Sequence, residues 1–537
     1  MSYFLLTEYG ERLVQEDGGA LILDQEPSAL ALFTRRFRNI FLAEIEAYDP
    51  DSSTTVTWRF SSGQGFVDSG YFYAPRIENP ATFRRSMSGG VTGRISNNYG
   101  ELTLLNPDGA VDAIGNDYFD GRTLTVKWGD RDGSYSGFTT ILKATIETVA
   151  LEKDRISIRL KDKSATLDKP FSETKYGGTN ALPLGVDGVP DDIMGQSKPR
   201  IFGRIGLMSA VAVNTSKLIY QVNDGSIDSI INVYDGGAYL TRSSDYLSLS
   251  DMYAYDPPEG TFRSLPALGL FRLGTLPFGQ LSICVAEKWD YLSCTAAGII
   301  QRILTEKGYT ASDWIAADFT ALNQKNAGSI GVVVDQAETT ASLLDRVCSS
   351  VGAWWGFDSI GRFRVARFES PTGSPVVTLT DDVIIECERE PESQLPFWST
   401  KLKCDINYVP QDKNSLAGVV PAYRAAWLKE SAREQKAENA TVKTQRLLSQ
   451  DESFDSLLNG ISIAQAEAAR RLNLYSVRRD IVNLTIANPQ AYYSNLDLGA
   501  VVSLASDRLG YGLGRLMVVT SVAVDYQSNT MDLILWG

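Results

Sequence analysis

Two stretches far apart in the chain carry the same alternation of apolar and polar positions. In "RISIRL" the apolar residues Ile156, Ile158 and Leu160 are separated by single polar ones, and in "MDLILW" Met531, Leu533 and Leu535 are spaced the same way. A period of two puts alternate side chains on one face, so each stretch predicts a strand with one buried face. The likeness extends upstream. The run from Gly121 to Val126, containing Leu124 and Val126, is followed by Gly137, "FTTILKATIETVAL", a Lys-Asp turn and "RISIRL". The run from Gly499 to Leu504, containing Val501 and Leu504, is followed by Gly514, "RLMVVTSVAVDY", a Ser-Asn turn and "MDLILW". This repeated order predicts two related antiparallel β-barrels, one near each end of the chain, with the ten named residues on their strands.

Between them the pattern changes twice. Residues 176–265 are rich in Gly, Asp, Ser and Pro, with short strands such as "KLIYQV" and "INVYDGGAYL", and Asn223–Gly225 and Asp235–Gly237 are turn signals. Residues 266–370 read as α/β. Ala296, Ile299, Ile300, Ile303 and Leu304 fall at helical spacing, with Gly308 as the stop, and a second helix is expected over Thr339–Ser350. The hairpin "WWGFDSIGRFRVARF" follows, turning at Asp358–Gly361.

The chain therefore divides into an N-terminal hairpin arm over 1–30, a first barrel over 31–175, a β-rich insertion over 176–265, an α/β domain over 266–370 and a second barrel over 371–537. The last contains a long polar excursion at 410–459, the kind of segment that is usually functional or bound to a partner, and an Ala-rich helix at 461–475. The fold class is mainly β with α+β insertions.

The arm holds one eight-residue phrase twice, Leu6–Leu13 and Val14–Leu21, each apolar at both ends with Glu third and Gly fifth. Two copies are too few for a solenoid. Gly10 and Gly18 suit tight turns. A ribbon this short cannot bury Leu6, Leu13, Val14 and Leu21 by itself, so docking on a neighbouring chain is expected. A terminal hairpin packed on its own barrel is the competing reading.

Composition then removes chemistry. The 537 residues contain no histidine, which excludes His-based nucleophile systems, His zinc sites and His general bases. The net charge of −14 and the absence of any Lys/Arg-rich run argue against gripping a phosphate backbone. The five cysteines, Cys284, Cys294, Cys348, Cys387 and Cys404, form no C-x-x-C pair and read as reduced core residues, with no cluster spacing. "MSYFLLTEYGERL" lacks the basic start of a secretory leader, and no stretch nears the roughly 20 apolar residues of a membrane anchor.

What remains is weighed residue by residue. Trp354 and Trp355 would suit a stacking platform, but neighbours on a strand point to opposite faces, so packing in a core or interface is the better reading. The carboxylates of "DDV" (Asp381, Asp382), "ECEREPE" (Glu386–Glu392) and "DQAE" (Asp335, Glu338) have no motif that singles out an acid and a base, and read as solvated faces. Asp49–Thr55 and Asp130–Ser134 are fragments of calcium-loop patterns without the closing Glu, and read as hairpin turns. No catalytic residue, cofactor site or metal site is assigned.

Several stretches resemble the central hub at the tail tip of long-tailed bacteriophages, of siphophage and gene-transfer-agent type. They are "LTEYGERLVQEDGGALIL", the Lys198–Thr241 segment "KPRIFGRIGLMSAVAVNTSKLIYQVNDGSIDSIINVYDGGAYLT", "GAWWGFDSIGRFRVARF", "AYRAAWLKESAREQ" and the terminal "LGAVVSLASDRLGYGLGRLMVVTSVAVDYQSNTMDLILWG". The resemblance implies two tail-tube-like barrels per chain and a homotrimer whose six barrels form a pseudo-sixfold ring. It further implies a distal tail protein ring above, a spike or fibre protein below, and a lumen for the tape-measure protein and for DNA, which an acidic wall would not bind. The expected place is the virion tail tip, after synthesis in the host cytoplasm, and the expected role is structural. A tail-associated carboxylate enzyme acting on polysaccharide or peptidoglycan, and a receptor-binding adhesin, are the alternatives.

Overall fold

The computed structural model describes residues 3–4, 22–23, 39–68, 70–87, 93–391, 395–487, 496–525 and 528–537. They form a mainly β structure in two compact units, one of Met1–Ala81 with Gly100–Leu160 and one of Thr82–Tyr99 with Lys161–Gly537.

In the first unit seven strands close on themselves. Going round, they are Thr54–Ser62, Asn39–Asp49, Thr123–Asp130, Thr139–Leu151, Arg155–Lys161, Leu102–Leu105 and Tyr71–Pro80, and the last pairs in parallel with the first through Phe60 and Ala74. Closure removes the open edges on which sheets aggregate. The register explains the core: Leu124 lies opposite Ile45 and Val126 opposite Ala43, and all four are fully buried. Asp49 turns the first hairpin by accepting from the Asp51 amide at 2.9 Å, and Asp130 accepts from the Asp132 amide at 3.0 Å in the turn after the third strand. Both calcium-like fragments are turns.

The second unit contains three sheets. A nine-stranded sheet uses strands from Arg200–Met208 to Gly331–Val334. Within it Asp235 pairs with Ala238 across Gly236 and Gly237, whose φ values of 53° and 79° are those a two-residue primed turn demands of both central residues. The α/β part carries helices Ala296–Glu306 and Thr340–Ser350, capped by the Thr295 and Thr339 side chains. Their buried faces pack with the hairpin Ala353–Phe357 and Phe363–Arg367. Gly308 has a φ of 84° just past the first helix, and the Gly361 amide closes on the Asp358 carbonyl at 3.0 Å in the hairpin turn.

The ten-stranded sheet holds the terminal strands Val501–Ala505, Arg515–Asp525 and Thr530–Trp536, with Ile481–Ala487 and Ile384–Arg389 beyond them. Its make-up departs from the sequence expectation at two places, the first being the hairpin Ala353–Phe357 and Phe363–Arg367, which is expected in the α/β domain and belongs to this sheet. Residues 82–99 fall inside the stretch assigned to the first barrel, yet their strands Phe83–Met87 and Gly93–Tyr99 join this sheet. The first pairs with Arg515–Asp525 through Ser86 and Ser521, and the second runs parallel to Ala353–Phe357. Ile95 sets this arrangement: it is buried in the same cluster as Trp354 and Val502.

The polar stretch 410–459 also has more structure than its composition suggests. It contains helices Ala422–Lys429 and Ala440–Gln445 and strands Arg433–Glu438 and Gln450–Phe454, which flank Phe397–Cys404 in a three-stranded sheet. The "REQKAE" strand alternates half-buried and exposed positions at a sheet edge, where charged side chains are tolerated. The helix Ile461–Tyr475 then covers this sheet, its Ala468 carbonyl accepting from the Thr400 hydroxyl at 2.8 Å.

Candidate assembly surfaces

The barrel residues expected from sequence fall on the strands of two meanders. Thr123–Asp130, Thr139–Leu151 and Arg155–Lys161 pair in succession, and so do Val501–Ala505, Arg515–Asp525 and Thr530–Trp536. Leu124, Val126, Ile156, Ile158 and Leu160 are buried in the first unit; Leu504, Met531, Leu533 and Leu535 are buried in the second, and Val501 is half-buried. These side chains hold each meander to its own core, leaving the alternate positions for any neighbour. The environments of the two meanders differ. Asn39–Asp49 lies antiparallel beside the first strand of one, whereas Thr378–Thr380 lies parallel to the first strand of the other.

Leu6, Leu13, Val14 and Leu21 lie outside the described residues; next to them, Tyr3–Phe4 pairs antiparallel with Ile22–Leu23. Trp354 and Trp355 take opposite faces of their strand. Trp355 stacks on Phe363 with centroids 5.7 Å apart and donates from Nε1 to Asp345 at 2.7 Å, while Trp354 packs with Ile95, Val502 and Val519. Both are buried. The interface reading of this pair therefore gives way to packing, because neither ring offers surface to a partner.

The sequence-flagged carboxylates act locally. Asp381 accepts from the Asp507 amide at 3.0 Å and Asp382 from the Thr380 hydroxyl at 3.1 Å. Glu338 is buried, accepting from the Asp335 amide at 3.2 Å and pairing with Arg346 at 2.7 Å.

Sequence reasoning missed the buried polar groups. Glu467 receives Arg471 Nε at 2.9 Å and Arg470 Nη2 at 2.7 Å, with Arg367 at 3.6 Å. Burial pushes its carboxyl up, but these guanidinium groups outweigh it and hold the carboxyl below its ordinary range. Asp480, also buried, takes Arg515 at 2.5 Å, Arg389 at 2.8 Å and the Tyr511 hydroxyl at 3.2 Å. Burial and the Asp480 charge push the Tyr511 phenol up to about 12. Arg85 pairs with Asp497, which also takes Arg364 at 3.1 Å. In the first unit Glu44 accepts from Tyr73 at 2.7 Å and Tyr135 at 2.5 Å. The cysteine thiols are shifted up by burial, Cys404 to about 11 and Cys348 well above its usual value. Such thiols stay protonated and act as small apolar side chains.

A hollow of about 360 Å³ is lined by Tyr291, Lys325, Arg367 and Glu467 among others. Its two central charges are committed to the Glu467 network. A second, of about 420 Å³, gathers Lys163, Lys169 and Lys307; Lys163 donates to the Gly361 carbonyl at 3.0 Å and Lys307 to the Phe171 carbonyl at 2.9 Å. These contacts brace loops.

Among the solved structures to which the chain is similar are phage tail proteins and a virion chain. The 43 kDa tail protein of prophage MuSo2 from Shewanella oneidensis is 11% identical, with 93% of this chain and 96% of that chain covered and a TM-score of 0.38. A tail protein from Neisseria meningitidis MC58 is 10% identical over 88% and 95%, with a TM-score of 0.39. A chain of the native gene transfer agent virion is 14% identical over 64% and 85%, with a TM-score of 0.41. No family model matches the sequence, and no curated protein matches it.

Proposed function

We propose that the chain is a structural hub at the tip of a phage-type tail, assembling as a homotrimer whose six meander barrels form a pseudo-sixfold ring in line with the tail tube. The observation that carries this reading is the duplicated meander, which gives one chain two like elements. A threefold assembly needs that duplication to present a sixfold surface to a hexameric tube. The resemblance in sequence supports the same role.

In this reading the barrels near the two ends of the chain build the ring, and the middle domains surround it. The ring joins a distal tail protein ring to a spike or fibre protein, and the tape-measure protein and DNA pass along its lumen without specific binding. The acidic balance of −14 favours such a passage, since like charge keeps DNA off the wall. The role is structural rather than enzymatic, and the location is the virion.

The test is end-on imaging of the purified, mildly cross-linked protein. Threefold particles with six barrel densities around a hole are expected. Compact single copies, joined to cleavage of peptidoglycan or polysaccharide by the purified protein, would overturn the reading.

A further inference from the structure

The 15-residue helix Ile461–Tyr475 begins without a side-chain cap. Gly460, at the cap position, offers no acceptor to the first turn, and its own amide donates to Asp405 at 2.8 Å. Among the described residues the amides of Ile461, Ser462 and Ile463 meet no acceptor. A helix cannot satisfy these donors from within, and they carry the positive end of its dipole, about half an elementary charge.

This first turn borders the hollow of about 360 Å³, whose wall includes Ser462 and Ile463. Arg367 and Lys325 belong to the same wall. The Arg367 side chain is 8% exposed, and its Nε lies 3.0 Å from Glu369 without making a hydrogen bond. Lys325 is exposed and pairs with no carboxylate among the described residues. In and behind the wall, Lys325, Arg367, Arg470 and Arg471 stand against Glu369, Glu467 and Asp405. A chain of net charge −14 thus keeps a positive balance here. Arg367 itself feels this balance. Burial, and after it the Arg470 charge, hold its guanidinium below the ordinary value, although Glu467 and Glu369 act the other way.

We propose that this hollow binds a carboxylate carried on an apolar stem. Helix amides, a buried guanidinium and an ammonium group are the donors from which anion sites are built. The rest of the wall selects among anions. Glu467 is part of it, and its charge opposes a doubly charged phosphate more than a singly charged carboxylate. Tyr291, 54% exposed, and Ile463 give the stem apolar contact. The volume also falls at the lower end of organic-ligand pockets, about 300–1,000 Å³, and a bare ion would leave most of it to water. An Asp or Glu side chain of another protein carries such a group, and so does a chain terminus.

The experiment is calorimetric titration of the full chain with acetyl-Leu-Glu-amide, which carries one carboxylate, and with acetyl-Leu-Gln-amide, which carries none. Wild type is expected to bind the first at least tenfold more tightly than the second, and more tightly than inorganic phosphate. Lys325→Glu should weaken that binding at least tenfold, whereas Lys143→Glu, the same change at an exposed lysine of the first unit, should leave it unaltered. Ser462→Asp gives the first turn a carboxylate of its own. It should therefore raise the thermal midpoint and block the dipeptide, a pair of effects that damage to the fold would not produce. Acetyl-Leu-Gln with a free C-terminus separates the two sources: binding tighter than that of acetyl-Leu-Glu-amide assigns a chain terminus, and weaker binding a side chain. If Lys325→Glu loses its thermal transition, Ser462→Asp decides alone. The proposal is overturned if wild type does not distinguish the two amides, or if phosphate binds as tightly as acetyl-Leu-Glu-amide. It is overturned equally if either site variant, folded, binds as wild type does, or if Lys143→Glu weakens binding as much as Lys325→Glu.

Discussion

Glu467 and Arg471 lie one turn apart on the Ile461–Tyr475 helix and form an ion pair at 2.9 Å in which both side chains are under 5% exposed. Arg470 and Arg367 complete the set, and Arg471 also donates to the Ser349 carbonyl at 2.5 Å. Removing this carboxylate takes from buried Arg471 the acid it pairs with, while Arg367 and Arg470 keep Glu369 at 3.0 and 3.6 Å. Glu467→Gln is therefore expected to cost about 3–5 kcal/mol, the usual loss when one partner of a buried pair is deleted. Urea unfolding checks it, the midpoint falling with the slope unchanged.

The same group predicts a pH dependence. The folded-state value of Glu467 lies below its ordinary 4.5. Its contribution is therefore complete above about pH 4.5 and is lost as pH falls through the folded value. Stability measured from pH 7 downward should show wild type converging on Glu467→Gln in acid. A gap that stays constant down to pH 3 would mean that the ion pair is not what the variant removed.

Trp355→Phe tests a different buried acid. The change keeps an aromatic ring and removes the donor to Asp345, whose carboxyl burial pushes up from its ordinary 3.8. Leaving that acceptor short of a donor is expected to cost about 1–3 kcal/mol at neutral pH. A raised folded value means stability is fully present below pH 3.8 and declines as pH rises through the folded value. Loss of the donor deepens that decline, so the deficit should grow from acid to neutral pH.

Gly356 meets the 93–99 strand so closely that a Cβ there would collide with Ile95. Gly356→Val is expected to cost about 1–3 kcal/mol by overpacking and to raise amide exchange in 93–99 before the rest of its unit. Ile95→Ala in the same chain should recover part of the loss, giving a coupling that separate sites would lack.

Deleting residues 2–24 addresses the arm. If the arm docks on a neighbouring chain, the truncated protein should keep its thermal midpoint and enter tail particles poorly. Normal incorporation would return the arm to a hairpin serving its own chain.

Legibility in the sequence followed the range of the interactions. The Ala296–Glu306 helix, its Gly308 stop and the Gly236-Gly237 turn depend on neighbours within a few residues, so spacing and residue type reveal them. Trp354 and Trp355 could be assigned to opposite faces because strand geometry requires it. That both faces would be covered, making the pair core and not interface, needed the helix Thr340–Ser350 on one side and the terminal strands on the other. The run "AEAARR" displays Glu467, Arg470 and Arg471 at three- and four-residue spacing, a pattern that usually marks a solvated helix face; packing turned it inward.

The alternation of apolar residues by itself determined that Leu124 to Leu160 and Val501 to Leu535 form meanders, because a strand's two faces are written in its own order of side chains. The lack of histidine likewise fixed which chemistries the chain cannot perform. Only the tertiary structure decided that Phe83–Met87 leaves its sequence neighbours to pair with Arg515–Asp525, and that Asp480 gathers Arg389 and Arg515. The physical reason is the same in both cases. Strand partners and buried charges are chosen by the free energy of contacts between residues far apart in the chain, and a local pattern states that a face must be covered without stating by what.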